Sequence, residues 1–350
     1  MRKYLLPENG NFYKANLHCH STWSDGNLTP EEIKKGYMDK GYSIVAYTDH
    51  DVMLDHSDLA DENFLPLLSY EMEITESRTA EENKIRPPKT CHICLIALDP
   101  KTDKQVCWHR EKYLFGHAKN FKDQVKFDET LPDYERAYTP ECINEMIKMG
   151  RDAGFFVTYN HPAWSMEYAE DYMKYEGMHA MEICNGSCYN LGWDDYVPYI
   201  YDEMLRGGKR IFCIGADDNH NGPGENWAHD SFSAFTYIKA DKLEYRTITK
   251  AMEAGDMYAS QGPEIYDLYV EDGRVYIKCS PARRIVFGTG LRYAQCAWAN
   301  LGDHWGEGCD KTITEASFGI PAGCHYIRLT VEDLEGRHAN TRAYFLDEFQ

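Results

Sequence analysis

The sequence predicts an α/β protein that ends in a small all-β domain. Over the first three quarters of its 350 residues, short apolar runs alternate with segments of helical periodicity, which is typical of βα units and a parallel sheet. After Gly262-Pro263, stretches recur in which every second residue is apolar, as in half-buried strands. A chain of this length has room for two domains, or for one large barrel with an appendage.

Seven apolar runs predict the strands of the α/β part. Two helix starts are well marked, because Thr29-Pro30-Glu31-Glu32 and Thr139-Pro140-Glu141 each place an N-cap threonine before a proline at the first helical position. Further helices are expected over Trp193–Leu205 and Asp241–Ala254. The predicted strands lie near Tyr13–Leu17, Ser43–Tyr47, Phe64–Ser69, Thr90–Ala97, Gly154–Tyr159, His179–Cys184 and Arg210–Gly215.

Two segments depart from the βα alternation. Thr75–Tyr138 holds one strand and much polar sequence, so we interpret most of it as an insertion over the mouth of a barrel. Farther on, Glu264–Glu271 and Arg274–Cys279 flank Asp272-Gly273, a pair that favours a tight turn, and they predict a hairpin. We therefore divide the chain into residues 1–262, with the insertion at about 75–138, and a β domain over residues 263–350.

Composition argues against several classes of protein. The 37 basic and 57 acidic side chains give a net charge of −20 at pH 7, which is the wrong sign for binding duplex nucleic acid. No apolar run approaches the roughly 20 residues that cross a bilayer, so no membrane partner is expected. Met1–Pro7 meets proline and polar residues too early for a signal peptide. The 12 cysteines then indicate reduced thiols and a cytoplasmic protein.

Histidines and carboxylates recur where the predicted strands end. Six of the seven strands carry such a residue at or near the edge where parallel barrels place their active sites. Residues i and i+2 of a strand share a face, so the first two histidines point the same way. Mixed imidazole and carboxylate ligands suit zinc, manganese or iron. The motifs are His18-Cys19-His20, Ser24-Asp25-Gly26, Thr48-Asp49-His50-Asp51, Glu71-Met72-Glu73, His92, Asn160-His161-Pro162 and Asp217-Asp218-Asn219-His220.

Taken in order, these motifs resemble the PHP (polymerase and histidinol phosphatase) superfamily. The resemblance covers about residues 11–262, and the segment Gly255–Pro263 is similar to the stand-alone phosphoesterase branch, which commonly ends in a small β domain. It implies a distorted (β/α)7 TIM-like barrel that holds two to three divalent transition-metal ions. The motifs that carry it are His18-x-His20-x-x-x-Ser24-Asp25-Gly26, Thr48-Asp49-His50-Asp51, Asn160-His161-Pro162 and Asp217-Asp218-x-His220.

The resemblance also implies a ligand set. Glu73 is chosen over Glu71 because the family's glutamate precedes a β-branched pair, which Ile74-Thr75 matches. The family often has Pro-Gly before that glutamate, and this chain has Tyr70-Glu71 instead. The implied ligands are His18, His20, Glu73 and Asp218 for the first metal, Asp25, His50 and His220 for the second, and His92 and His161, sharing Glu73, for the third.

The residues and the resemblance meet in one mechanism. Two cations about 4 Å apart can lower the pKa of a bridging water, so that a metal-activated hydroxide forms at neutral pH. We therefore expect a metal-dependent phosphoesterase, either a phosphatase or a phosphodiesterase, that hydrolyses a small phosphorylated substrate. The residues expected to carry catalysis through the metals are Asp25, His50, Asp218 and His220.

Two other functions stay open. An amidohydrolase, which cleaves C–N bonds, also uses an HxH motif on the first strand of a barrel. It usually bridges its metals with a modified lysine at the end of the fourth strand, and here no lysine follows His92 before Lys101. The second alternative is a non-catalytic metal-binding barrel, although one structural ion needs fewer ligands than the nine candidates.

The insertion carries basic side chains in an otherwise acidic chain. A phosphate needs donors besides the metals, and arginine offers it a planar fork. We therefore predict that at least one of Arg86, Arg110 and His117 contacts the substrate. The alternative is a solvated insertion whose cations pair with glutamates of the same segment.

Three tryptophans lie close to the ligand motifs in sequence. They are Trp23, Trp164 and Trp227. A nucleobase or a sugar could stack on such rings. Packing around the site is the simpler explanation, because aromatic side chains are so often buried.

Overall fold

The computed structural model describes residues 2–222, 228–299 and 311–349, which form a mixed α/β fold. All seven predicted strands are confirmed, as β2 to β8, and only β4 is much longer than predicted. The strands are β1 (Lys3–Tyr4), β2 (Asn11–Asn16), β3 (Ile44–Tyr47), β4 (Leu65–Thr75), β5 (Thr90–Ala97), β6 (Phe155–Tyr159), β7 (Ala180–Asn185), β8 (Phe212–Ala216), β9 (Phe235–Ala240), β10 (Met257–Ser260), β11 (Ile265–Glu271), β12 (Arg274–Ala282), β13 (Arg284–Thr289), β14 (Ala294–Trp298), β15 (Ile313–Gly319), β16 (Tyr326–Glu332), β17 (His338–Thr341) and β18 (Tyr344–Phe345).

The two helices with predicted caps begin at those caps, whereas the helices expected over Trp193–Leu205 and Asp241–Ala254 begin later, at Pro198 and Tyr245. The Thr29 hydroxyl accepts a hydrogen bond from the backbone N–H of Glu32, whose carboxylate accepts one from the N–H of Thr29. Thr139 caps α3 through the N–H of Cys142. Across the described ranges, no helix combines the length and the apolar character that a bilayer crossing requires. The helices are α1 (Pro30–Met38), α2 (Ala80–Asn83), α3 (Pro140–Asp152), α4 (Ala169–Tyr172), α5 (Gly186–Leu191), α6 (Pro198–Arg206) and α7 (Tyr245–Ala254).

The large sheet is mixed, which corrects the prediction of a wholly parallel one. Strands β2 to β8 lie side by side in chain order, and β2-β3-β4 and β6-β7-β8 are parallel. Strand β5 runs antiparallel to both of its neighbours. The start of β5 therefore lies at the same edge of the sheet as the carboxyl ends of the other six strands. On the far side of β2, the antiparallel β9 continues the sheet.

Side chains from all seven strands meet in one buried cluster. It includes Ala15 of β2, Ile44 of β3, Phe156 of β6 and Ile214 of β8, and helix α7 packs against it through Ile248. The edges of β2 and β8 meet in a parallel bridge between Cys19 and Asn219, just beyond the two strands. A continuous ladder between them is not found in the described residues, so the closed seven-stranded barrel stays a prediction.

The insertion packs back onto the edge of the sheet. Val52 and Leu54, which follow β3, form a small apolar core with Trp108, Ala118 and Val125 of the insertion. The backbone N–H of His117 donates to the carbonyl of Ser24, at 2.6 Å, in the loop after β2. Gly116 has φ +54° at this crossing, and a Cβ there would overlap the Ser24 carbonyl. These contacts bring the insertion beside the strand-end residues.

In the described residues after 262, the C-terminal part consists of strands β11 to β18 and one 3-10 helix at Leu346–Glu348. The hairpin of β11 and β12 turns at Asp272 (φ 49°) and Gly273 (φ 72°), and two positive φ angles are what the tightest hairpin turn requires. Strand β1 pairs with β11, and β10 pairs with both β9 and β17. One sheet thus continues across residue 262, and the domain boundary proposed there stays a prediction.

Candidate metal centre

Nine imidazole and carboxyl side chains converge at the carboxyl edge of the large sheet. In the described residues they form four overlapping groups, and within each group the donor atoms lie within 4.8 Å of one another. Seven of the nine belong to residues no more than 7% exposed, so the cluster faces away from bulk water. The groups are His20-Asp25-His50-His220, His18-His20-Asp218, His18-Glu71-His161 and His50-Glu71-His92.

Glu71 occupies the middle of this cluster. It lies in the part of β4 that passes the end of β3, opposite His50 in an isolated parallel bridge. Its carboxylate is buried and accepts a hydrogen bond from the amide of Asn160, at 2.8 Å. Five imidazole nitrogens surround the two carboxylate oxygens. Their distances are 3.2 Å for His18 Nε2, 3.3 Å for His20 Nε2, 3.3 Å for His50 Nδ1, 3.2 Å for His92 Nδ1 and 3.5 Å for His161 Nε2.

Two further carboxylates complete the donor set. Asp218 Oδ1 lies 3.1 Å from Nε2 of both His18 and His20, whose own Nε2 atoms are 3.1 Å apart. Asp25 lies on the loop after β2, with its Oδ2 3.3 Å from His220 Nε2 and 3.8 Å from His50 Nε2. Each carboxylate therefore faces at least two imidazoles, and mixed imidazole and carboxylate donors are suited to binding a divalent metal ion.

The hydrogen bonding inside the cluster is incomplete. His50 Nδ1, His92 Nε2 and Glu71 Oε2 are buried atoms that have no hydrogen-bond partner. A buried polar atom without a partner costs about 1–3 kcal/mol. In this cluster, imidazole nitrogens face one another and face carboxylates, of which Glu71 has one oxygen without a hydrogen-bond donor. A cation would complete the coordination of these atoms better than they complete one another's hydrogen bonding, so the donor set fits a divalent-metal site.

The charges of the cluster also favour bound cations. Burial alone would lower the pKa of His20, but Asp218 and Glu71 outweigh it and raise the pKa well above its ordinary value. Burial opposes ionisation of Glu71, yet the charges of His18, His92 and His50 hold its pKa well below the usual range. Burial, helped by the charge of His20, lowers the pKa of His50 to about 3. The site thus holds ionised carboxylates that attract positive charge.

Strained backbone holds several of these residues in place. His161 (φ 27°) and Asp218 (φ 53°) adopt left-handed backbone that L residues rarely take, at a cost of order 1–3 kcal/mol each. The N–H of His161 donates to Glu182 Oε2 at 2.9 Å. The N–H of Asp218 donates to the carbonyl of His18, also at 2.9 Å. These bonds fix the two side chains toward the cluster.

The geometry of the cluster favours Glu71 as a ligand over the predicted Glu73. Glu73 is the partner of His92 in the β4–β5 ladder, but its carboxylate accepts from the Thr75 hydroxyl and belongs to none of the four groups. Glu71 and Glu73 share one face of β4, because side chains alternate along a strand. They differ only in depth, and Glu73 lies one pleat farther out, on the wall above the cluster.

Sequence reasoning missed Glu182, which orients the cluster from behind. Its Oε1 lies 2.6 Å from His18 Nδ1, and its Oε2 accepts from the amide of Asn185 at 2.8 Å as well as from the N–H of His161. A carboxylate on the outer nitrogen of a ligand histidine fixes the tautomer and the ring orientation. The signal was a single glutamate inside the otherwise apolar, fully buried run Ala180–Cys184.

A cavity of about 430 Å³ opens above the cluster. The apolar parts of its wall are formed by Phe115 of the insertion, by Trp164, and by Leu191 of α5. Ser187 and Asn190 are among the polar residues of the wall. Trp164 also packs edge-on against His92 and His161, whereas Trp23 stacks on Phe121 of the insertion. Trp227 lies outside the described residues.

The basic side chains predicted to touch the substrate lie elsewhere. Arg86 forms a two-pronged pair with Glu76, at 2.7 and 2.8 Å, and Arg110 pairs with Asp133. The ring of His117 lies 3.3 Å from the carbonyl of Thr22. None of the three lines the cavity, so among the described residues the insertion reaches the site through Phe115 instead.

Fold and site together define a mixed α/β protein with a candidate divalent-metal centre. No family model matches the chain. A segment of 37 residues is 49% identical to the DNA polymerase/3'-5' exonuclease PolX of Bacillus subtilis (strain 168), and it covers 11% of this chain and 6% of that protein. The chain therefore spans only a small fraction of this relative's length.

Three solved structures align with this chain at low sequence identity. A two-domain protein from Bacteroides vulgatus ATCC 8482, described as containing a predicted PHP-like metal-dependent phosphoesterase, is 15% identical over 98% of each chain, with a TM-score of 0.46. A candidate metal-dependent phosphoesterase from Bifidobacterium adolescentis ATCC 15703 is 18% identical over 63% of this chain and 93% of its own, with a TM-score of 0.36. An amidohydrolase from Chromobacterium violaceum with bound sulfate is 17% identical over 69% and 96%, with a TM-score of 0.36.

Proposed function

We propose that this protein is a metal-dependent phosphoesterase that hydrolyses small phosphorylated substrates. The observation that carries the proposal is the buried cluster of six histidines and three carboxylates, whose partnerless nitrogens and oxygens fit divalent cations better than protons. Divalent cations held there would lower the pKa of a water and neutralise charge on a phosphoryl group. No nucleophile from the protein is then required.

The proposed ligands follow the four groups of donor atoms. In this proposal Glu71, rather than the predicted Glu73, is the carboxylate ligand that two of the metals share. The groups built on His18, His20 and Asp218 and on Asp25, His50 and His220 would hold two cations. Glu71 would hold a third with His92 and His161, whose ring nitrogens lie 3.2 and 3.5 Å from its Oε1. Seven of the nine proposed ligands, all but His18 and His20, line the cavity, so cations held by them would be accessible to an ester bound there.

Metal analysis combined with a phosphate-release assay tests the proposal. Protein purified without chelator should contain two to three zinc, manganese or iron ions per chain, and it should release phosphate from small phosphate esters or split small phosphodiesters. Chelation should abolish turnover, and adding Mn²⁺ or Zn²⁺ back should restore it. Fewer than one ion per chain in a folded preparation, or turnover that survives chelation, would overturn the proposal.

A matched pair of variants separates the site from the surface. Asp25→Asn keeps the shape of the side chain but removes a charge from the cluster, so we expect turnover to fall at least tenfold. Asp58→Asn makes the same chemical change at an exposed position and should leave turnover within twofold. Thermal unfolding of the chelated proteins shows whether both variants fold.

The alternatives correspond to other outcomes of the same assay. Bound metal with hydrolysis of C–N bonds but not of phosphate esters would indicate an amidohydrolase. The cavity offers no lysine to bridge metals as in that class, because no lysine of the chain lines it. Bound metal without any turnover would indicate a non-catalytic metal-binding protein.

A further inference from the structure

The wall of the cavity carries negative charge but no lysine or arginine. Beyond the proposed ligands, its ionisable residues include Glu73 and Asp230, and its other members are aromatic, aliphatic or uncharged polar residues. All 37 lysines and arginines of the chain belong to the described residues, since residues 1, 223–227, 300–310 and 350 include none. The absence of lysine and arginine from the cavity wall therefore holds for every such residue in the sequence.

The nearest candidates for an anion-binding group are already paired. The guanidinium of Arg136 is buried close to the cavity, but it forms an ion pair with Asp51 and donates to the carbonyl of Glu73 at 2.9 Å. Lys89 lies directly before β5, and its Nζ is held by Asp171 at 2.6 Å. A second phosphate or a carboxylate on a substrate would find acidic neighbours here and no free cation.

The apolar part of the wall comes from three separate segments of the chain. Phe115 reaches in from the insertion, with its ring edge-on to His50 at 5.4 Å between centroids, and Leu191 lies at the end of α5. Phe115 and Leu191 are 52% and 58% exposed, so both are accessible to a molecule in the cavity. Trp164 adds an aromatic surface above His92 and His161. A substrate that covered these groups would remove apolar area from water, which stabilises its binding.

We propose that the cavity selects phosphate esters with one phosphoryl group and an aromatic or apolar alcohol part that bears no further negative charge. This selectivity rests on the proposed phosphoesterase function. The cations would take the phosphoryl group, Phe115 and Leu191 would cover the alcohol part, and Glu73 and Asp230 would repel a second anion. A cavity of about 430 Å³ is large enough for an aryl phosphate.

Matched substrates test the charge requirement. Phenyl phosphate and 1,4-phenylene bisphosphate share a ring and differ by one phosphate, and glycerol phosphate replaces the ring by a polar group. We expect kcat/KM for phenyl phosphate to exceed that for each of the others at least tenfold. Glu73→Gln removes a carboxylate from the wall, so the ratio of kcat/KM for phenyl phosphate to kcat/KM for the bisphosphate should fall at least threefold. Equal or higher kcat/KM with the bisphosphate would overturn the proposal.

Variants of the wall test the apolar requirement. Phe115→Ala and Leu191→Ala should each lower kcat/KM for phenyl phosphate about tenfold and change it less than twofold for methyl phosphate. Tyr189→Ala is the matched control, because Tyr189 is 68% exposed on the same helix as Leu191 but does not line the cavity. Similar losses in all three variants, or equal losses on both substrates, would contradict the assignment.

Binding measurements keep this inference separate from the proposed function. Phenylphosphonate and 1,4-phenylenebisphosphonate cannot be hydrolysed as esters, so calorimetric titration of Mn²⁺-loaded protein reports selectivity without turnover. We expect the monophosphonate to bind at least tenfold more tightly. If no ester is hydrolysed, the proposed function is wrong, but the titration still shows whether the cavity binds the monophosphonate more tightly than the bisphosphonate. Tighter binding of the bisphosphonate overturns the inference even if hydrolysis is observed.

Discussion

Replacing Glu71 by glutamine should remove more bound metal than any other single amide substitution in β4. Its two oxygens lie 3.2–3.5 Å from five imidazole nitrogens, so it is placed to bridge several cations. Loss of a residue that merely orients a ligand already costs about 10–100-fold in metal affinity. We expect Glu71→Gln to cost at least 100-fold, or about 2.7 kcal/mol.

The matched control is Glu73→Gln, two residues along the same strand. Its carboxylate contacts the Thr75 hydroxyl rather than the imidazoles, so metal affinity should change less than about threefold. Elemental analysis and competition with a chelator of known affinity measure both variants, and thermal unfolding of the chelated proteins reports folding separately. Equal losses in the two variants, or a larger loss in Glu73→Gln, would refute the assignment of Glu71.

Three further changes test the surroundings of the cluster. Glu182→Gln should lower metal affinity about 10–100-fold, measured by chelator competition, because it weakens the contact that orients His18; unchanged affinity would contradict this role. Gly116→Ala should lower the free energy of unfolding by about 1–3 kcal/mol in urea titrations, since the new Cβ overlaps the Ser24 carbonyl and the φ is left-handed. A urea midpoint equal to that of the wild type would contradict this expectation, because the insertion would then have moved to make room for the methyl group. Burial raises the pKa of Glu167 to about 7 despite three tyrosine hydroxyls that donate to it. Its contribution to stability is therefore present below about pH 4.5 and is lost as the pH rises through 7, by about 3 kcal/mol. Glu167→Gln should accordingly lose less stability than wild type between pH 5 and pH 8, and parallel urea midpoints across that range would contradict the assigned shift.

The order of the strands and the strand-end histidines could be predicted from the sequence alone. Each of β2 to β8 is an apolar run bounded by polar residues, and the caps at Thr29 and Thr139 are local patterns that need no tertiary information. His92 was placed at the correct edge although β5 runs the other way. It lies near the start of an antiparallel strand, and that start meets the carboxyl ends of its neighbours.

The depth of a residue along a strand was not accessible in the same way. Periodicity shows that Glu71 and Glu73 share a face, but the end of the neighbouring β3 decides which of them lies among the histidines. Where β3 ends is a tertiary property, and a match to a family's residue pattern chose Glu73, which lies outside the groups of donor atoms. Glu182 was missed for a related reason, since a carboxyl within an apolar strand gains its meaning only from the imidazole it faces.

The substrate residues were the least predictable, because charge in a sequence does not show which charges are already paired. Arg86 and Arg110 belong to the basic residues of an acidic chain, which made them attractive as phosphate ligands. Their partners Glu76 and Asp133 lie 10 and 23 residues away, and the pairs form on the outside of the insertion. What the insertion gives the site is Phe115, a half-exposed apolar residue that no charge pattern singles out. Recognition at this edge is therefore divided. Under the proposed function, cations would supply the positive charge for a phosphoryl group, and Phe115 and Leu191 would offer apolar surface to the remainder of the substrate.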